Sequence, residues 1–164
     1  MGVLELGLNT GLRIKELSSL CCGDIYLNGE FSFIHVRNGK GGKSGIVRIG
    51  SKISRFLKQC FQWKESIGEG INNDAPLFVS SNTKKHLSCR AVQEMFKRCC
   101  KRAGIERNVH AHMMRHTYAS NLLEKSGNNI RFVQQQLRHS SIKTTETYCR
   151  VLDSAYKALD KLYD

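Results

Sequence analysis

The chain has 164 residues, 40% of them hydrophobic, a single proline, and 26 Lys plus Arg against 14 Asp plus Glu, for a net charge of +12. That length and apolar content fit one domain with its own core and exclude a disordered tail or a collagen-like chain. Every apolar run is soon broken by a polar residue, and Glu5 stands where a signal peptide would be apolar, so neither a membrane span nor a leader is expected.

In chain order, residues 1–9 read as a helix with Leu4 and Leu8 on one stripe, broken at Thr10-Gly11. A chain that opens in mid-helix is expected to continue a longer protein. A second helix is predicted from near Leu12 through Glu16, Leu17 and Leu20. Turn signals at Gly23-Asp24 and Asn28-Gly29 bracket short strands at Ile25-Tyr26 and from Phe31 to Val36. Asn38 to Gly42 reads as a hairpin tip and Gly45 to Ile49 as the return strand, so residues 24–49 form a small antiparallel sheet with a basic, Gly-rich tip. The rest is mainly helical. Ile53, Phe56, Leu57, Cys60 and Phe61 fall at helical spacing, and a loop over 66–75 leads to the apolar stretch Leu77-Phe78-Val79. Ser88 is the expected N-cap of a helix carrying Val92, Met95 and Cys99, which Gly104 ends. Helices follow from about His112 to Glu124, Ile130 to Leu137 and Lys143 to Arg150, and then a tail with an apolar stripe from Val151 to Leu162. With no internal repeat, the expectation is a single domain over 1–164: α+β, mainly α-helical, with one small sheet.

The positive charge is spread along the chain rather than gathered in one block, which points to a folded face that grips a polyanion. The seven cysteines are odd in number and include no C-x-x-C pair, which argues against a disulfide framework or zinc ribbon. They read as reduced thiols packed as small hydrophobes in a reducing cytosol. His110, His112 and His116 invite a zinc reading, but steps of two on a helix face different ways and Arg115 would repel a cation, so no metal is expected.

Four islands place basic or hydroxyl groups beside glycines or helix starts: TGLRIKEL at 10–17, NGKGGKSG at 38–45, HMMRHTYAS at 112–120 and LRHSSIKTTETY at 137–148. His112 and Arg115, three apart, share a helix face with Met113 and Met114 turned toward the core; an imidazole and a guanidinium fork near a helix start suit a phosphate. Arg13 reads either as a surface pair with Glu16 or as a guanidinium that Glu16 holds in place. Lys40 reads either as a solubilising turn lysine or as an ammonium that glycines let reach a ligand. Tyr148 reads as a half-buried anchor or, beside cations that favour phenolate, as a nucleophile.

Together the islands resemble the tyrosine recombinases of the phage integrase family. T-G-L-R-I-x-E-L is similar to its first box, G-K-G-x-K to its lysine turn, H-x-x-R-H-T-x-A-S to its second box, and L-x-H-S-S-I-x-T-T-x-x-Y to the end of that box plus the nucleophile, with Tyr148 nine positions after His139. The resemblance runs from about residue 2 to 152. It implies the family's DNA breaking-rejoining catalytic core and the catalytic set Arg13, Lys40, His112, Arg115, His139 and Tyr148, supported by Glu16 and His116. Lys43 and Arg138 are further expected to touch DNA. Two departures stand out: Arg138 occupies the place where the family usually has glycine, and Met113 a place that is often polar. The resemblance implies metal- and ATP-free, site-specific recombination of double-stranded DNA by a mobile-element integrase, through a covalent 3′-phosphotyrosyl link. A Walker-type phosphate loop and clustered carboxylates are indeed absent from the sequence. A chromosome-dimer resolvase, a relaxing topoisomerase, a silent DNA-binding relic and a basic RNA-binding domain are the competing readings. The resemblance further implies a cytoplasmic, nucleoid-associated protein, a homo-tetramer on DNA that is monomeric or weakly associated when free. It also implies a missing N-terminal core-binding domain, and a tail at 151–164 exchanged between protomers.

Overall fold

In a computed structural model, which describes residues 2–37 and 44–138, the chain opens with helix α1 (Gly2–Thr10), whose buried face is Val3, Leu4, Leu6, Gly7 and Thr10. The Thr10 hydroxyl turns back to donate to the Leu6 carbonyl at 2.7 Å, and Gly11 leaves the helix at φ +64. Arg13 is extended and caps α2 (Ile14–Ser18), so this helix starts two residues later than its apolar pattern suggests. The reason is local: the left-handed Gly11 and the extended Arg13 are both incompatible with a helical turn.

Three short strands follow: β1 (Ile25–Tyr26), β2 (Phe33–Val36) and β3 (Gly45–Arg48), in spatial order β1-β2-β3 and antiparallel throughout. Ile34 pairs with Ile25 and Val47, and Val36 pairs with Gly45. Alternation along β2 buries Ile34 and Val36, and Val47 of β3 joins them on the core face. Phe31, expected in the strand, lies instead in a 3₁₀ turn over Gly29–Phe31. There the Ser32 hydroxyl and the Phe31 N–H close the turn on the Gly29 and Asn28 carbonyls, and the exposed Phe31 ring lies under the Arg48 guanidinium.

Helix α3 (Ser51–Ser66) packs Ile53 and Leu57 inward. The segment after it is pinned to the first half of the chain by Leu77 N–H donating to the Leu20 carbonyl and Cys22 N–H to that of Ala75, both at 2.8 Å. Helix α4 (Cys89–Arg102) starts at Ser88, whose hydroxyl accepts from the Ala91 N–H at 3.0 Å. Helices α5 (His112–Lys125) and α6 (Ile130–Leu137) complete the described fold, with Asn129 capping α6.

Two apolar clusters result. The larger unites α1 to α4 with the sheet and takes Met114 from α5. The smaller holds Ala119, Leu123, Val133 and Leu137 between α5 and α6. Helix α5 belongs to both, and it joins the two halves through its packing on α1. The six described cysteines are free thiols, and Cys22 and Cys100 are buried. Among the described residues no helix is long and apolar enough to cross a membrane. The expected hairpin tip at 38–42, the helix at 143–150, Cys149 and the tail at 151–164 lie outside the described residues.

Candidate active site

Arg13 stands at the exposed end of the turn between α1 and α2, and Glu16, one helical turn on, is buried beneath it. Glu16 Oε2 accepts from the Arg13 backbone N–H at 2.8 Å, and Oε1 accepts from Arg13 Nη1 at 3.0 Å. The carboxylate therefore fixes both the helix start and the guanidinium. Burial pushes the Glu16 carboxyl up, but the Arg13 N–H and the Arg138 and Arg13 guanidiniums outweigh it, so the group sits below its ordinary value of 4.5.

Arg115 reaches the same corner from α5, about a hundred residues further along the chain. Its side chain is buried, and its Nη1 donates to the Gly11 carbonyl while Nη2 donates to the Leu137 carbonyl at 2.6 Å. One guanidinium thus ties the turn that carries Arg13 to the last residue of α6. Gly11 is required for this. A Cβ there would come within 2.5 Å of the Tyr118 ring and 2.8 Å of Leu137 Cδ2. The packing of Tyr118 and Leu137 on bare backbone is what brings the carbonyl within reach of Arg115.

His112 and Arg115 are close, but they do not share a common depth: His112 is exposed and Arg115 is in the interior. The His112 ring meets His116 edge-on with centroids 4.9 Å apart. Partial burial first, then the charges of His116, Arg115, His110 and Arg13, hold the His112 imidazole below its ordinary 6.5. Met114 is buried in the core as expected, and Met113 is half-buried. Among the described residues no group of three or more His, Cys, Asp or Glu is placed to hold a metal ion.

Arg138 lies at the C-terminal end of α6. It caps α6 in the left-handed region at φ 53, and its side chain turns inward, with Nη2 2.6 Å from Glu16 Oε1. That backbone conformation is one glycine adopts freely and any other L-residue at a cost of about 1–2 kcal/mol, which explains why glycine suits this position. Lys40, Lys43, His139 and Tyr148 lie outside the described residues.

Gln136 escaped the sequence reading. Its Nε2 donates to the Arg48 carbonyl of β3 at 2.6 Å and to the Tyr118 hydroxyl at 3.2 Å, fastening the end of α6 to the sheet. The signal was available: a polar residue three positions after Val133 sits on the apolar stripe of α6.

Residues 1–155 match the model of the phage integrase family. Tyrosine recombinase XerC of Proteus mirabilis is 36% identical over 163 residues, covering 99% of this chain and 50% of its own length. The crystal structure of XerA recombinase superposes with a TM-score of 0.78 at 31% identity, over 99% of this chain and 55% of that one. The post-cleavage complex of XerH site-specific recombinase with palindromic difH substrate gives 0.79 at 25% identity, over 99% and 45%. The chain spans about half the length of the curated relatives it matches.

Proposed function

The chain belongs to the phage integrase family, and from that premise we propose that it is the catalytic domain of a tyrosine site-specific recombinase, an integrase of a mobile element acting on double-stranded DNA. The observation that carries this is the Arg115–Gly11 hydrogen bond. It ties Arg115 to the backbone of the turn that carries Arg13, about a hundred residues earlier in the chain, which supports a reading in which both guanidiniums and His112 serve one site. Two fixed cations and a largely neutral histidine form a suitable receptor for a phosphodiester whose negative charge grows during substitution.

In the proposed reaction the Tyr148 oxygen attacks phosphorus, and a P–O bond to Tyr148 forms as the bond to the 5′ oxygen breaks. The phenolic proton passes to His112 as base, and the leaving oxygen takes a proton from Lys40. Arg13 and Arg115 stabilise the pentavalent charge, and His139 donates to the phosphate. The 3′-phosphotyrosyl link keeps the bond energy of the phosphodiester, so a 5′ hydroxyl of another strand reverses the step without a separate energy source. On DNA the protein acts as a homo-tetramer, with the tail at 151–164 exchanged between protomers. The expected protein is cytoplasmic and nucleoid-associated.

The test is covalent trapping on labelled, nicked duplexes with randomised arms, denatured in detergent. The proposal requires a DNA–protein adduct that Tyr148→Phe abolishes. Salt-sensitive binding with no adduct from the full-length protein would make it a silent DNA-binding module instead.

A further inference from the structure

A carboxylate that holds a phosphate-binding arginine creates a physical conflict, because the partner that positions the guanidinium also cancels its charge. Glu16 does not serve Arg13 alone. Its Oε1 lies 3.0 Å from Arg13 Nη1 and 2.6 Å from Arg138 Nη2, so two guanidiniums share one buried oxygen. The nearer cation is also the more enclosed: the Arg138 side chain is 14% exposed and that of Arg13 27%. The stem of Arg138 crosses directly over Gly45, where a Cβ would meet Arg138 Cδ at 3.0 Å. The side chain is therefore laid inward across the start of β3, between α6 and α2.

We propose that Arg138 is a positioning residue that neutralises the Glu16 carboxylate from the inside, so that Glu16 can fix Arg13 in place while the charge of Arg13 remains available to a phosphate. This rests on the recombinase reading above. The arithmetic of charge is simple. Arg13 with Glu16 alone sums to zero, whereas the trio sums to +1, and the surplus sits on the member nearest solvent. Coulombic attraction at these separations is far stronger than in bulk water because Glu16 is buried. The same groove at Gly45 explains how an arginine is accommodated at a left-handed cap: the absence of a side chain on β3 leaves room for its stem.

The test uses the full-length protein and the nicked, randomised duplex as probe, with Arg138→Gln, Arg138→Lys and Glu16→Gln. Direct removal of a transition-state donor costs about 10²–10³-fold, and an indirect charge effect should be smaller, so Arg138→Gln is expected to form adduct about tenfold more slowly. Arg138→Lys keeps the charge and should recover most of the rate. DNA affinity and its salt slope should not move, and Arg138→Gln should add nothing once Glu16 is Gln. The proposal is overturned if the Gln variant cleaves at the unmodified rate. It is equally overturned if Lys rescues no better than Gln, or if binding weakens with a salt slope shallower by about one phosphate contact, which would put the side chain on DNA. Should Arg138→Gln not fold, Gly45→Val, which displaces the Arg138 stem, must give the same slowing. Carboxyl NMR of Glu16 reads the pairing without cleavage: its titration moves to higher pH in Arg138→Gln, and an unmoved titration refutes the pairing. An unmodified protein that forms no adduct while that titration still moves would defeat the recombinase reading and leave the pairing standing.

Discussion

Arg13 and Arg115 meet the same turn but are held there in opposite ways. At the α1–α2 turn, Arg13 is near the surface and is held by a charged partner, Glu16. At the junction of α5 and α6, Arg115 is buried and is held by neutral carbonyls, those of Gly11 and Leu137. A carboxylate fixes a guanidinium firmly but reduces its field. A carbonyl fixes a guanidinium without bringing a negative charge of its own, but burying the guanidinium costs desolvation that the surrounding fold must offset. Arg115 is thus built into the fold, tying the Gly11 turn to the end of α6, whereas Arg13 is held at the margin of the fold by a single carboxylate.

Removing each arginine separates these roles most sharply. Arg115→Ala strips two charge-assisted bonds and leaves buried carbonyls unpaired, so a loss of about 3–5 kcal/mol is expected in urea melts, together with activity. Arg13→Ala should lose cleavage by about 10²–10³-fold in the adduct assay and yet melt within about 1 kcal/mol of the unmodified protein. Equal destabilisation by both would erase the distinction. Gly11→Ala attacks the shared hinge. It combines a left-handed backbone with a clash on Tyr118 and Leu137, and about 2–4 kcal/mol should be lost in the same melts.

Smaller effects come from titration. The Glu16 carboxyl is held below 4.5 in the fold, so its stabilisation is complete above that value and is lost as pH falls through the folded-state pKa. The acid limb of stability should therefore flatten in Glu16→Gln, and an unchanged limb measured by circular dichroism would deny the carboxylate its role. His112 is the smallest case. Its imidazole is lowered by burial and then by His116, so proton NMR should find its titration moved upward in His116→Gln, toward 6.5. Because the folded value is depressed, this histidine removes stability as pH drops below 6.5 rather than adding it.

Much of this was legible in the sequence, because it rests on local rules. The Thr10-Gly11 break, the Ser88 cap, the alternation in β2 and the helices from His112 and Ile130 all follow from turn chemistry and periodicity. Arg13 with Glu16 was legible as one of two readings, since i,i+3 spacing brings them together. What spacing does not carry is depth. His112 and Arg115 are angular neighbours on α5, but only the packing of α1 and α6 buries one and exposes the other. The pairing of Arg138 with Glu16 was not legible for the same reason: it needs the left-handed cap that turns the side chain inward. The Gln136 anchor needed the position of β3, eighty-eight residues away in the chain.

We propose that Arg13 and Arg115, about a hundred residues apart in the chain, serve a single phosphate. A crystal structure of the full-length Tyr148→Phe protein bound to a duplex measures this directly. Both guanidiniums are expected within hydrogen-bond distance of non-bridging oxygens of one phosphodiester. Guanidiniums on different phosphates, or an Arg115 that makes no approach to the DNA, would contradict it.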